Sequence, residues 1–422
     1  MKRTLLVVSY LYAPSPDVGA KRFSFLAREF GKLGYDVHVI TNAPGESPHG
    51  HRADPSLPNA GNVHGCESPL SLPLRGEGRL TAGLNAIFRR VLAPVGPEYF
   101  WARAATRRAL EVARGLPPGL VIATSPPHAA LFAGVRIARR LGWPLILDYR
   151  DPWSGYDWPR WRRGRMAQWI ARTLEAQLID WSAARVLNTT AMRGWFEKCF
   201  PLAPADRNFV IPNGFDPLPA PPPPADGRVD VVHAGSIFTG RSLVPVLEAA
   251  RRLGERHPGR PVRVVTYGDL PATELQRIRD AGLQAFVDVR PRVPYEELKA
   301  QLQSAHVLLA VVGEHMTYST PYKVYDYMAA GRPILGLAPR GAALYEVLAD
   351  SGAGLCVDPG DVAGVERALE SLAFGDAGGR SRIDRFHWSN LALQYRLVLD
   401  TVSMNASDRV STSGPLRRAL DL

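Results

Sequence analysis

The sequence predicts an α/β fold with two doubly wound parallel-sheet domains. Buried apolar strands alternate with amphipathic helices along the chain, and the alternation stops at a proline run and then restarts. The first repeat is the apolar run Thr4–Ser9, an amphipathic stretch over Ala20–Lys32 and a second strand at Asp36–Thr41. Continuous apolar runs are typical of parallel strands covered on both faces, and strand–helix–strand order indicates a parallel sheet.

The proline run marks the domain boundary. Residues 217–228 read PLPAPPPPADGR, a stiff and poorly packing composition typical of a linker. It separates an N-terminal domain, 1–216, from a C-terminal domain, 229–385. Residues 386–404 are predicted to form a helix packing back on the N-terminal domain, and 405–422 a disordered tail. We expect the domains to face a central cleft, because open α/β sheets bind ligands outside the carboxyl ends of their strands.

Composition points to anionic partners without choosing among them. The 422 residues suffice for two cores, and 51 Lys and Arg against 40 Asp and Glu give a net charge of +11. Such an excess favours nucleic acid, phosphorylated substrates or an anionic membrane face. The short apolar run after the basic first residues favours a strand over a signal peptide, and no segment approaches the length needed to span a bilayer. The three separated cysteines lack metal-ligand spacing and fit a cytoplasmic location: Cys66, Cys199 and Cys356.

The stretch 318–333, YSTPYKVYDYMAAGRP, predicts a short capped helix. Thr320 is a candidate N-cap, and Pro321 suits the first helical position. Gly331 can take the left-handed conformation that ends a helix. A helix start carries free N–H groups and positive dipole charge, so we expect an anion site there.

Two charged side chains lie on one face of this predicted helix. Lys323 and Asp326 are three residues apart. A cation beside the anion site and a carboxylate one turn on would suit a phosphate attached to a hydroxylated ring. An ordinary capped helix with an internal ion pair would give the same spacing.

Several motifs together resemble one enzyme family. They are YLYAPSPDVGAKR (10–22), ATSPPH (123–128), DYRDPW (148–153), IPNGFD (211–216), AGSIFTGR (234–241) and PYKVYDYMAAGRP (321–333). They occur in both domains in family order. On them the chain resembles the retaining GT-B glycosyltransferases of the family 4 type, which includes bacterial lipopolysaccharide and capsule sugar transferases. The fold implied is two Rossmann-like domains.

The resemblance implies a nucleoside-diphosphate sugar as donor substrate in the C-terminal domain, with retention of configuration and no cofactor or required metal. The sequence also lacks a convincing DxD-type metal clamp. The diphosphate must then be stabilised by cations and backbone N–H groups. The candidate donor-binding residues there are Gly235, Ser236, Arg241, Tyr318, Tyr322, Lys323 and Asp326. The family's two glutamates, eight apart, are replaced here by Tyr318 and Asp326; Asp326 can still accept ribose hydroxyls.

In the N-terminal domain the resemblance implies the acceptor site. Asp17 and Gly19 correspond to the family's glycine loop, which lets backbone approach donor phosphates and acceptor; a plain strand–helix connection is the alternative. Asp151 and Arg150 follow a buried strand, and Asp151 is the candidate for orienting or deprotonating the acceptor. A structural Arg–Asp pair is the alternative. His128 could also accept the acceptor proton, or it could cap a helix. His233 is predicted to be structural.

Two basic and aromatic regions, Leu84–Arg108 and Trp158–Trp181, fit a membrane interface. The second contains Arg160, Arg162, Arg163, Arg165 and Arg172. A polyprenyl-diphosphate-linked acceptor at the inner face of the cytoplasmic membrane would explain both. Alternatively, Trp161, Trp169 and Trp181 pack in the core. Nucleic acid is not expected, because no recognition motif is present.

The predicted function is therefore transfer of a hexose-type sugar to a lipid-linked saccharide or other glycan in surface-polysaccharide assembly. The donor's own leaving oxygen can help deprotonate the acceptor. Two alternatives stay open: another enzyme on the same scaffold, such as a nucleotide-sugar epimerase or a phosphorylase, and a non-catalytic sugar- or lipid-binding subunit. The replacement of a glutamate by Tyr318 favours the last.

Overall fold

A computed structural model describes residues 2–42, 53–67, 98–154, 165–222, 224, 227–237, 240–375 and 382–410. The chain divides into two compact units. The first contains Met1–Leu187, Phe196–Ile211 and Leu391–Leu422, and the second contains Asn188–Trp195 and Pro212–Asn390. The first unit is therefore assembled from both ends of the chain.

The first unit is built on a parallel sheet of seven described strands, in the order β3-β2-β1-β4-β5-β6-β7. The strands are β1 (Thr4–Val8), β2 (Asp36–Thr41), β3 (Asn62–Gly65), β4 (Gly119–Ser125), β5 (Leu145–Tyr149), β6 (Ala184–Leu187) and β7 (Asn208–Val210). The helices are α1 (Val18–Lys32), α2 (Tyr99–Ala113), α3 (Ala129–Leu141) and α4 (Arg165–Trp181), and the next helix, α5 (Thr190–Cys199), is divided between the two units at Phe196. The order reverses at β1 and β4, which places the switch point of the sheet at the loops that follow these two strands.

The second unit repeats this topology with six described strands, in the order β10-β9-β8-β11-β12-β13. The strands are β8 (Val229–Ala234), β9 (Val262–Tyr267), β10 (Val287–Arg290), β11 (Val307–Val311), β12 (Ile334–Leu337) and β13 (Gly354–Val357). The helices are α6 (Val244–Arg256), α7 (Ala272–Asp280), α8 (Tyr295–Ser304), α9 (Lys323–Ala330), α10 (Ala343–Ser351) and α11 (Val362–Phe374). Its switch point lies at the ends of β8 and β11.

The central strands are apolar because both of their faces are covered. Every residue of β1 is buried, and so is every residue of β5 and β11. Thr4 pairs in parallel with Asp36 on one side and with Gly119 on the other. Gly119 has to be glycine, because an added Cβ would lie 2.3 Å from the carbonyl oxygen of Thr4.

The last helix, α12 (Trp388–Val410), belongs to the first unit from Leu391 onward. Tyr395 is fully buried, and its ring packs edge-on against Phe30 at 5.4 Å and against Phe23 at 6.3 Å. Both phenylalanines belong to α1. The helix therefore completes the core on that side of the sheet, and it continues to Val410 where the sequence analysis placed a tail from residue 405.

The predicted fold class is confirmed. Among the described residues, the elements differ from the sequence analysis at several ends and at the cap of α9. Thr320 does not cap this helix: its Oγ1 is buried with no hydrogen-bond partner among the residues that the structure describes, and the helix begins at Lys323. Gly331 ends the helix in the left-handed conformation, as expected. Residues 84–97, 158–164 and 411–422, on which other predictions fall, lie outside the described residues.

Candidate functional site

In the second unit, the turn after β8 brings backbone close to a lysine. Gly235 has φ +103°, and a Cβ there would lie 3.1 Å from Lys323 Nζ. On the other side of the turn, a Cβ on Gly268 would lie 2.7 Å from the carbonyl carbon of Gly235. Only glycines permit this approach, so the turn leaves the lysine head group against bare backbone.

Lys323 is paired with a buried histidine rather than with an acid. Its Nζ lies 3.2 Å from Nε2 of His233, whose Nδ1 lies 2.9 Å from the carbonyl oxygen of Leu309. The carbonyl requires a donor, so Nδ1 carries the proton and Nε2 accepts from the lysine. Burial first, and Lys323 second, hold the pKa of His233 well below its usual range. The histidine is thus a neutral acceptor that orients the lysine.

A second cation stands close to the first. Burial, and after it the charge of Arg241, lower the pKa of Lys323 to about 7. Arg241 Nη2 lies 3.0 Å from Met316 Sδ, and a Cβ on Gly313 would lie 3.5 Å from the Cγ of Arg241. Arg241, Lys323 and His233 therefore converge around the Gly235 turn at the switch point of this sheet. An anion entering there would relieve the repulsion that lowers the lysine pKa.

The start of α9 offers fewer free N–H groups than the sequence analysis expected. The N–H of Val324 donates to the carbonyl of Pro321 at 3.0 Å, and that of Tyr325 to Tyr322 at 2.9 Å. The hydroxyl of Tyr322 donates to the carbonyl of Gly214 at 3.0 Å. These contacts fix the helix start, so the cationic side chains are the main candidates for binding an anion here.

The other predicted donor residues are held by partners that spacing alone did not reveal. Ser236 Oγ accepts from Arg292 Nη2 at 2.7 Å, and Arg292 Nε lies 3.3 Å from Asp269 Oδ2. Asp326 Oδ1 accepts from the Tyr295 hydroxyl at 2.8 Å. Apart from a strand end followed by glycine, GDL at 268–270, no motif in the sequence pointed to these partners.

Tyr318 is placed by contacts with the segment 188–195. Its carbonyl accepts from Thr189 Oγ1 at 2.5 Å, and its ring centroid lies 5.9 Å from that of Trp195. The aromatic residue that stands at the family's first glutamate position is thus packed against a second aromatic ring.

In the first unit, Arg150 ties together three loops at the carboxyl edge of the sheet. Its side chain donates to the carbonyl oxygens of Ser125, Gly19 and Pro126. The glycine loop is shaped for this contact, because a Cβ on Gly19 would lie 2.6 Å from Arg150 Nη1 and 2.5 Å from Leu11 Cδ1. Arg150 therefore organises the loops around the proposed acceptor residues through backbone carbonyls.

A buried ion pair underlies the same edge. Arg22 donates through Nε and Nη2 to both carboxylate oxygens of Asp148, at 2.9 to 3.2 Å. Asp148 also accepts from the hydroxyls of Thr124 at 3.0 Å and Tyr395 at 3.3 Å. The Arg and Asp of two recognised motifs thus join α1, β4, β5 and α12.

His128 and Asp151 share one loop environment. The His128 ring stacks on the indole of Trp153, with centroids 5.1 Å apart, and Trp153 is two residues after the half-buried Asp151. Asp17 precedes α1 and accepts from Ser15 Oγ at 2.9 Å without capping the helix through its side chain. The structure therefore places Gly19 in contact with Arg150, and it places His128 against the loop that carries Asp151.

The basic and aromatic regions differ from one another where the structure describes them. Trp101 is fully buried and donates from Nε1 to the carbonyl of Cys66 at 3.2 Å, so this part of the first region packs in the core. In the second region, Trp169 is 64% exposed, which contradicts core packing for this residue. Trp181 is 37% exposed beneath the guanidinium of Arg139. Trp161 and Arg160, Arg162 and Arg163 lie outside the described residues.

The described residues contain neither a metal-ligand cluster nor a helix that could span a membrane. None of their His, Cys, Asp and Glu side chains form a group of three or more that could hold a metal ion. None of their helices is both long and apolar enough to cross a bilayer.

Comparison with protein families accounts for both halves of the sequence. Residues 19–214 match the glycosyl transferase 4-like domain, and residues 228–373 match the glycosyl transferases group 1 domain. The chain is a glycosyltransferase of the GT-B fold. No curated protein matches its sequence.

Solved structures of this glycosyltransferase fold are similar along nearly the whole chain. Sucrose-phosphate synthase from Thermosynechococcus elongatus is 14% identical with a TM-score of 0.64, covering 96% of this chain and 100% of its own. The α,α-trehalose 6-phosphate synthase of Burkholderia multivorans is 17% identical with a TM-score of 0.61, at the same coverages. The lipopolysaccharide outer core galactosyltransferase WaaB is 11% identical with a TM-score of 0.59, covering 94% of this chain and 99% of its own.

Proposed function

We propose that this glycosyltransferase moves a hexose-type sugar from a nucleoside-diphosphate sugar to a lipid-linked saccharide or other glycan, with retention of configuration and without a metal ion. The observation that carries the proposal is the convergence of Arg241, Lys323 and His233 on the bare backbone of Gly235. Two cations beside a turn without side chains fit a diphosphate, whose charge grows as it leaves the sugar. Such electrostatic stabilisation can replace a divalent ion at a diphosphate.

The nucleoside would lie along α9. Asp326 is one turn beyond Lys323, and its carboxylate can accept hydrogen bonds from ribose hydroxyls. The Tyr295 hydroxyl, bonded to Asp326 Oδ1 at 2.8 Å, fixes the carboxylate rotamer for that contact. Tyr318 is expected to contact the sugar through its ring and not as a charged group.

We assign the acceptor to the carboxyl edge of the first unit. Asp151 orients or deprotonates the acceptor hydroxyl, and the departing diphosphate oxygen assists on the same face. His128 lies against the same loop through Trp153 and is a second candidate for the proton. Arg150 positions the loops that carry these groups through its hydrogen bonds to backbone carbonyl oxygens.

A lipid-linked acceptor agrees with one exposed apolar surface. Met166 is 70% exposed and Trp169 64%, on one face of α4, and Leu202 is 95% exposed. Arg172 of the same helix donates to the carbonyl of Cys199 at 2.8 Å, which places α4 beside the segment that carries Leu202. Exposed apolar side chains beside an arginine are suited to contact the headgroup region of an anionic membrane. We accordingly place the enzyme at the cytoplasmic face of a membrane, working in surface-polysaccharide assembly.

Donor turnover by the purified protein tests the function. A thermal-shift screen of nucleoside-diphosphate sugars selects the donor, and release of nucleoside diphosphate in the presence of a lipid-diphosphate-linked glycan measures transfer. Activity should persist in a chelator, and the anomeric configuration of the product should equal that of the donor. Transfer with inversion, or only with added metal, would contradict the proposed mechanism.

Variants at the two sites separate binding from chemistry. Lys323→Ala should weaken nucleotide-sugar binding, whereas Arg251→Ala, which removes a partly exposed cation of the same unit that pairs with Glu255, should leave it unchanged. Asp151→Asn should lower turnover more than donor affinity. An unaltered rate would remove Asp151 from the mechanism.

The non-catalytic alternative is supported by the absence of a carboxylate at Tyr318. It predicts tight donor binding without any turnover in the presence of acceptors. The alternative enzymes on this scaffold predict an epimerised donor or a sugar phosphate, which mass spectrometry and NMR of the products distinguish from a glycoside.

A further inference from the structure

A buried glutamate lies directly behind the loop that carries Asp151. Glu175 of α4 is fully buried, and its Oε2 accepts from the backbone N–H of Ser154 at 2.9 Å. Its other oxygen, Oε1, is buried with no hydrogen-bond partner among the described residues. Neither the donor site nor the acceptor assignment above uses this side chain.

The hydrogen bond between Glu175 and the Ser154 N–H holds the carboxyl end of a short loop. The loop begins at Arg150, whose side chain is fixed on carbonyl oxygens, and contains Asp151 and Trp153. Trp153 is buried and carries the stacked ring of His128. The segment is therefore held at one end by an arginine and at the other by Glu175.

The groups that face Glu175 do not neutralise it. Tyr149, at the end of β5, has a buried hydroxyl without a hydrogen-bond partner in the described structure, and its pKa is raised first by burial and then by the charge of Glu175. The pKa of Cys199, at the end of α5, is likewise raised first by burial and then by Glu175. Burial raises the pKa of Glu175 to about 7, against the hydrogen bonds from Ser154 and the charge of Arg172 on α4 itself, which lower it.

Burying a carboxylate costs free energy, so accepting one N–H does not by itself explain a glutamate at this position. A neutral amide of the same shape would accept the same bond without the cost of burying a charge. What the carboxylate adds is a charge-assisted bond, roughly twice as strong as a neutral one. It also adds a dependence on pH near neutrality, where this carboxylate titrates.

We propose that Glu175 is a positioning residue: its carboxylate holds the Ser154 N–H and thereby fixes where Asp151 and the His128–Trp153 pair lie. The inference rests on the proposed function, because the acceptor is assigned to this loop. As pH falls through about 7 the carboxylate takes up a proton, the bond weakens, and the loop loosens. Turnover should therefore rise with pH through this range, whereas donor affinity should not rise with pH.

Glu175→Gln tests the proposal, with Asp180→Asn as the matched control. Asp180 is an exposed carboxylate on the same helix, so its loss should leave the profile unchanged. Glu175→Gln should lower kcat at pH 8 by about fivefold to tenfold and remove the rise of kcat between pH 6 and 8, with KM for the donor little changed. A variant with unaltered kcat, or with a slower rate but the same pH profile as the native enzyme, would overturn the proposal.

Hydrogen exchange gives a readout that needs no transfer reaction. After correction for the intrinsic pH dependence of exchange, the amide of Ser154 should be more protected at pH 8 than at pH 6 in the native protein. Glu175→Gln should remove that difference. Should the variant not fold, equal protection of the native protein at both values would still refute the idea. Absence of turnover in the native enzyme with the exchange difference intact would instead count against the proposed function alone.

Discussion

Donor binding should be coupled to the uptake of a proton by Lys323. In the free protein its pKa is about 7, lowered by burial and by the charge of Arg241. A diphosphate beside Nζ favours the charged form and raises that pKa again. Affinity is therefore full below pH 7 and falls as pH rises above 7, because the bound state must then recruit a proton.

The size of the effect follows from this linkage. Each pH unit between the free and the bound pKa costs a factor of about ten in affinity, or about 1.4 kcal/mol. If the diphosphate restores the pKa of Lys323 toward its usual value, the dissociation constant at pH 9 should exceed that at pH 7 by about 50-fold, since half of the free lysine is already neutral at pH 7. A nucleoside-diphosphate sugar is the appropriate ligand, since both of its phosphates are esterified and stay ionised through this range.

Titration calorimetry at pH 6 to 9 checks the prediction directly. At pH 8, measurements in two buffers with different ionisation heats should give close to one proton taken up per ligand bound. Lys323→Arg provides the control: arginine stays charged, so its affinity should be nearly independent of pH. A native protein with constant affinity across the range, or with no proton uptake at pH 8, would refute the reasoning.

Three further changes have defined outcomes. Gly235→Ala forces a side chain to φ +103° and places a Cβ 3.1 Å from Lys323 Nζ. The free energy of unfolding should fall by about 1–3 kcal/mol, and calorimetry should show weaker donor binding. An unchanged donor affinity would show that the turn is not part of the donor site. Asp148→Asn leaves the guanidinium of Arg22 buried without its charge partner and should cost about 3–5 kcal/mol in urea unfolding; a loss under about 1 kcal/mol would show that the pair is dispensable. Trp169→Ser should reduce flotation with anionic liposomes while the melting temperature stays the same, because the ring is exposed; equal flotation would contradict the membrane surface.

The fold was readable from the sequence because its signals are local and repeated. Runs such as Val307–Val311 are apolar at every position, and each is followed within the expected length by an amphipathic helix. The end of α9 followed from Gly331. Its start did not: the pattern Thr320-Pro321 favours a cap, but tertiary packing buries the threonine hydroxyl, and the helix begins three residues later.

The candidate site was only partly predictable, since its organisation depends on contacts distant in sequence. Spacing placed Lys323 and Asp326 on one face, yet their observed partners, His233 and Tyr295, come from β8 and α8. Glu175 gave no signal at all, because a glutamate in an amphipathic helix is ordinarily solvated. Burial of such a group becomes visible only when the sheet and the helix are assembled.

The buried bond of Tyr395 to Asp148 has a consequence for synthesis of the chain. The tyrosine follows the whole second unit along the chain, yet its ring and hydroxyl complete the core of the first unit. During translation, the second unit has nearly all of its sequence before the first unit receives its final helix. We therefore expect the face of the amino-terminal sheet beside α1 to stay uncovered until α12 has been synthesised. A fragment ending at the proline linker should accordingly aggregate, and supplying residues 388–410 as a separate peptide should rescue it.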